Sequence, residues 1–245
     1  MSTIIRSSTN GYVIADMKKS LLAITASYRI YLVTDEQDGN WYMLKVSPDV
    51  AGNGRLDREA LILKDIQAEV ERIRSLEKPD KPSGAFRYEK CFPRLHETFL
   101  LKEQGNRRVN IIEIPATDSV GELYPIQEWR TRDSRRLDPK SSAWIIGRLF
   151  KSFTLTHPIG IEVGKIDGAN ILVNPDMHRA LFFDWTQALQ HEQYVPPEKV
   201  GEEIAQGIDH SGANAFDVVD LVIGLAVGTT LGGVFRDGAE GIEGQ

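Results

Sequence analysis

The chain has 245 residues, 41% of them hydrophobic and 26% charged, a balance that suits a folded globular protein with room for one large core or two small lobes. Its net charge of -6 argues against a nucleic-acid partner, because a surface that grips a phosphate backbone carries a basic excess. The single cysteine, Cys91, excludes a disulfide within the chain, reads as a small buried hydrophobe and favours a reducing, cytoplasmic setting.

Residues 1–20 read as an N-terminal extension of mixed polarity without the apolar core of a secretory signal. "SYRIYLV", Ser27 to Val33, alternates and is rich in β-branched and aromatic residues, so it is predicted as a strand. "DEQDGN" carries an Asp-Gly hairpin signal, and "WYMLKVS", Trp41 to Ser47, is the returning strand. In "RLDREALILKDIQAEVERIRSL", Arg55 to Leu76, the residues Leu56, Ala60, Leu63, Ile66, Val70 and Ile73 recur at helical spacing. A Pro-rich loop, Glu77 to Gly84, follows. "FPRLHETFLLKEQGNRRVNIIEIP" then predicts two strands around the turn "KEQGN".

Beyond Pro115 the character changes. Ser141 to His157 is predicted helical and is closed by Pro158 and Gly160. "ANILVN" and "ALFFDW" are short strands around the turn "PDMH". The longest uncharged run, "LVIGLAVGTTLGGVF" from Leu221 to Phe235, falls short of the roughly 20 residues of a membrane span, so its spaced glycines are read as the packing face of a buried helix and no membrane contact is expected. The expected organisation is an extension at 1–20, a β-rich lobe at 21–115, an α-rich lobe at 116–235 and a tail at 236–245.

Two features carry chemistry. Lys45 lies in the strand "WYMLKV", and Glu59 lies in the helix that follows, in "DREALIL". The stretch "HPIGIEVGKIDGANILVNPDMHRALFFDW", His157 to Trp185, places Asn170 14 residues ahead of Asp184, which opens "DWT". In this order and with these motifs the chain resembles the protein-kinase-like fold over residues 23–230. His157, Gly160, Ile161, Gly164, Ile166, Asn170, Ile171, Leu172 and Val173 fall in register with the family's catalytic-loop pattern. The resemblance implies an α+β bilobal protein-kinase-like fold with a β-rich N-lobe and a reduced α-rich C-lobe.

It also implies roles. Lys45 stands where such folds place the lysine that contacts ATP phosphates, Glu59 where a helix glutamate orients it, and Glu113, just ahead of the connector, joins them in the nucleotide-contacting set. Asn170 and Asp184 supply the oxygen ligands that suit Mg2+ between protein and phosphates. Asp217 stands where an aspartate braces the catalytic loop. The four side chains Lys45, Glu59, Asn170 and Asp184 are expected to meet in one cleft.

The departures are as informative. Val163 replaces the loop histidine, Lys165 stands at the catalytic aspartate's position, and Asp167 stands where many kinases have a lysine. An ammonium cannot accept the proton of an attacking hydroxyl beside Mg-ATP, whereas it can neutralise a γ-phosphate. The phosphate-covering loop has Ala23, Thr25 and Tyr28 where glycine is expected, which lowers nucleotide affinity and lets Tyr28 fill the pocket. These differences point to a pseudokinase acting as a nucleotide-binding or scaffolding regulator, with weak or absent phosphotransfer and with ATP and Mg2+ as its cofactors. The alternative is an active atypical protein or small-molecule kinase in which Asp167 or Asp184 handles the proton. A protein partner is expected at the C-lobe or at the basic run Arg130, Arg132, Arg135, Arg136 and Lys140.

Overall fold

The structure, a computed structural model, describes residues 2–76, 87–114, 123–129, 137–164 and 166–190. The fold is mixed α+β and divides into two units: Met1–Val120 with Asp184–Ala188, and Gly121–Phe183 with the chain from Leu189 onward.

The first unit is built on an antiparallel sheet. Its strands are β1 (Thr3–Arg6), β2 (Gly11–Ile14), β3 (Leu21–Ile24), β4 (Arg29–Asp35), β5 (Trp41–Val46), β6 (Arg94–Leu101) and β7 (Arg107–Glu113). They run in the order β1-β2-β4-β5-β7-β6, with β3 also paired to β4. The predicted β4–β5 hairpin is present, with Thr34 opposite Trp41 and Gly39 at a φ of 71° in its turn. The β6–β7 hairpin likewise folds around "KEQGN", where Gly105 has a φ of 74°.

Residues 1–20 correct an expectation. They do not merely extend the fold: β1 and β2 pair with each other, and β2 continues onto β4, with Tyr12 opposite Asp35. Ile5, Tyr12 and Ile14 are buried there because a strand of four residues can still place its alternate side chains in a core. The β1–β2 turn closes through the Ser7 N–H on the Asn10 carbonyl at 2.9 Å. Its Thr9 hydroxyl donates to Glu97 of β6 at 3.0 Å, and the Tyr12 hydroxyl donates to the same carboxylate at 2.7 Å.

Strand alternation separates two faces. Tyr12, Tyr31, Val33, Tyr42, Leu44, Val46, Val109 and Ile111 belong to one apolar cluster. The intervening residues Met43, Lys45, Asn110 and Ile112 therefore point the other way. Helix α1 (Asn53–Leu76) packs beside β6 and β7 and begins two residues earlier than predicted. Its start is stitched to the β6–β7 hairpin: the Arg108 N–H donates to Asn53 Oδ1 at 2.7 Å, and Asn53 Nδ2 donates to the Asn106 carbonyl at 2.8 Å. Leu56, Ala60, Ile62, Leu63 and Ile66 are buried, whereas Val70 and Ile73, predicted in the same stripe, are only half-buried. Cys91 is buried as expected, but it follows a short 3-10 turn, Tyr88–Lys90, and not a strand.

The second unit contains β8 (Tyr124–Pro125), helix α2 (Pro139–Thr156), β9 (Ile161–Glu162), β10 (Ile171–Asn174), β11 (Arg179–Phe182) and β12 (Leu189–Gln190). Helix α2 starts with Asp138 accepting the Ser141 N–H at 2.9 Å and Pro139 in its first turn. A 3-10 turn, His157–Ile159, ends it, with Gly160 in the left-handed region as the sequence predicts. The hairpin β10–β11 carries β8 on its other edge, and β9 pairs with β12. Phe153 of α2 stacks on Phe182 of β11 with ring centroids 5.5 Å apart.

The loop Glu77–Gly84, the run Arg130–Arg136, Lys165, Asp217 and the apolar run Leu221–Phe235 lie outside the described residues. Among the described residues no helix is long and apolar enough to cross a membrane.

Candidate functional site

The site in the first unit follows from the sheet alternation. Lys45 and Asn110 are direct cross-strand partners on β5 and β7, so both side chains stand on the same face. Helix α1 lays Glu59 onto that face among its buried apolar residues. Lys45 Nζ donates to Glu59 Oε1 at 2.5 Å, and neither side chain has any exposed surface. Asp184, 139 residues further along the chain, accepts from the same ammonium at 3.3 Å and keeps 19% of its side chain exposed. Lys45, Glu59 and Asp184 are therefore brought together.

Two further donors complete the glutamate. The Trp185 N–H reaches Glu59 Oε1 at 3.2 Å, and Asn110 Nδ2 reaches Oε2 at 3.1 Å. Asn110 Nδ2 also donates to the Leu56 carbonyl at 2.9 Å, and its Oδ1 accepts from the Thr98 hydroxyl at 2.7 Å. The carboxylate thus takes bonds from a lysine, an amide and a backbone N–H, which is what a buried charge requires. Tyr28, buried itself, sets its ring over Lys45 with the ammonium 4.8 Å from the centroid. The Trp185 side chain is fully buried and lies 5.9 Å from the Phe92 ring.

Burial alone would lower the Lys45 ammonium, but Glu59 and then Asp184 offset this and hold it above its ordinary value of 10.5. Burial pushes the Asp184 carboxyl up, yet the Lys45 charge, the Tyr28 hydroxyl and Thr186 together bring it below its ordinary 3.8. A depressed carboxyl contributes stability that is complete above its unfolded pKa and disappears as pH falls through the folded value. The raised lysine contributes below 10.5 and loses its contribution as pH rises through the folded value. The stability difference between wild type and Asp184→Asn should therefore be constant at neutral pH and shrink below about pH 4. Urea titrations at several pH values measure it, and a difference unchanged down to about pH 2 contradicts the ion pair.

Asn170 and Asp167 belong to the second unit. Asp167 Oδ1 accepts the N–H groups of Ala169 at 3.0 Å and Asn170 at 2.9 Å, so its carboxylate caps its own loop. The Asn170 carbonyl accepts the Phe183 N–H at 2.9 Å. Gly168 is held against Gln127, whose N–H donates to the Gly168 carbonyl at 3.1 Å, and a Cβ there would sit 2.9 Å from the Gln127 Cβ. Val163, in place of the loop histidine, is fully buried.

Glu113 does not join the Lys45 cluster. It closes β7 and pairs with Arg94 at 3.7 Å, with the Arg94 side chain exposed and Glu113 half-buried. Lys140 is exposed in the first turn of α2. Among the described residues no group of three or more His, Cys, Asp or Glu stands at metal-binding distance. A magnesium ion held by one or two protein oxygens and by phosphates needs no such group.

Asn110 and the Trp185 N–H are members of the cluster that the motif reading does not select. Asn110 had one signal: it is the polar residue inside the apolar run "VNII" of a central strand. No protein-family model matches the chain, and no curated protein matches it.

Proposed function

We propose that the chain is a protein-kinase-like domain of two lobes that acts as a nucleotide-binding or scaffolding regulator and not as a phosphotransferase. The observation that carries this reading is the fully buried Lys45, clamped by Glu59 of the following helix and by Asp184 of "DWT". A lysine with two carboxylates drawn from a helix and from a distant segment is the arrangement with which kinase-like folds position ATP phosphates and magnesium. In this reading Asp184, ionised and partly exposed, serves Mg2+, and bound Mg-ATP supplies the phosphates that Lys45 neutralises.

Support for the regulatory role comes from the loop. A general base needs a carboxylate open to the attacking hydroxyl. Asp167 instead places one oxygen on two backbone N–H groups, and Asp184 serves the lysine. The buried triad orders the first unit with or without a ligand, which suits a protein that acts through its shape.

The test is incubation of the purified chain with γ-labelled ATP and Mg2+, with excess protein and general acceptors. No label should move to the chain or to the acceptors. Transfer that Asp167→Ala abolishes would replace this reading with that of an active kinase.

A further inference from the structure

The turn between β3 and β4 stands where kinase-like folds cover phosphates with glycines, and this one is built to stay closed. Thr25 Oγ1 accepts the N–H groups of Ser27 at 3.1 Å and Tyr28 at 3.0 Å, while the Thr25 N–H donates to the Tyr28 carbonyl at 2.9 Å. The Arg55 guanidinium on α1 donates to the Ser27 hydroxyl and ties the turn to the helix. Its backbone donors are directed to the turn itself, where a glycine loop would aim them at a ligand.

Tyr28 issues from this turn, is 4% exposed, and covers both groups that a phosphate and its metal would need. Its ring lies over the Lys45 ammonium, and its hydroxyl is one of the groups that hold the Asp184 carboxyl below its ordinary value. A cation against an aromatic face and a carboxylate against a phenol keep partners away from bulk water. The Lys45 ammonium, with no exposed surface, is thus shielded from solvent in the absence of ligand.

We infer that Tyr28 is a resident occupant of the Lys45 site, an autoinhibitory contact that a polyphosphate ligand must displace before it reaches the lysine. The inference rests on the nucleotide reading proposed above. When the competent state is a minor one, the apparent affinity falls by its population, so removing the occupant restores the difference.

The experiment is calorimetric titration of Mg-ATP into wild type, Tyr28→Ala and Tyr28→Phe, with the paired substitution Lys45→Met/Glu59→Leu as the reference lacking the lysine. Tyr28→Ala should bind at least about tenfold tighter than wild type, with Tyr28→Phe between them. The gain should vanish when the paired substitution is added. Equal or weaker binding by Tyr28→Ala overturns the inference. If wild type binds, the paired substitution abolishes binding and Tyr28→Ala adds nothing, the occupant role fails while the nucleotide reading stands. Absence of binding in every protein overturns both. Should Tyr28→Ala lack a cooperative melt, Tyr28→Phe decides: tighter binding than wild type supports the role, and equality overturns it.

Discussion

Lys45→Met should lower folding stability by about 3–5 kcal/mol, read from guanidinium unfolding. The cause is not the lost lysine alone. Glu59 has no exposed surface, and without the ammonium its carboxyl group is left with only an amide and a backbone N–H for company. Glu59→Leu alone should cost a similar amount, because it strands the buried Lys45 with the more distant Asp184. The double substitution Lys45→Met/Glu59→Leu should recover most of the loss, since an apolar pair of similar volume replaces two desolvated charges. Additive losses in the double variant would mean that the two residues do not form the pair described.

Trp185→Ala should cost about 3–5 kcal/mol in the same measurement. Trp185 is among the largest fully buried side chains and packs against Phe92, so truncation leaves a void that a closely packed interior cannot fill. Trp185→Phe should cost much less, because it retains a ring at this place and keeps the backbone N–H that serves Glu59. A loss below about 1 kcal/mol for Trp185→Ala would show that the residue is not part of the core.

Much of the architecture could be read from local patterns. The hairpins at Asp38-Gly39 and Gln104-Gly105 carry turn residues whose φ angles are positive in the structure, so a backbone requirement was written directly into residue type. Helix α1 declared itself through a long run at helical spacing, and α2 through Pro158 and Gly160 at its end, whereas its start at Pro139 lies two residues ahead of the predicted Ser141. Strands β1, β2 and β3 escaped because four residues carry too little periodicity to separate from loop. A signal was nonetheless present in "STNG", where Asn10-Gly11 closes the first hairpin.

The site divides in the same way. The residue types and order of Lys45, Glu59 and Asp184 pointed to a shared function, and the three are in contact. Asn110 was hidden because its importance depends on register: it matters only as the neighbour of Lys45 across two strands that are far apart in sequence. Asp167 was read as a candidate base, and a single position cannot distinguish a free carboxylate from one bound to its own backbone.

The Glu97 carboxylate has a meaning beyond its own hydrogen bonds. It receives Thr9 from the β1–β2 turn and Tyr12 from β2 while sitting on β6, the last strand at the opposite end of the sheet order. A ribbon whose two margins are clasped by one acidic residue is bent away from the flat geometry on which foreign strands dock. Strand β2 thus covers the Thr34–Asp35 end of β4, the stretch that β3 leaves open, and a chain lacking β1 and β2 would present that end as unpaired backbone on which a foreign strand can dock.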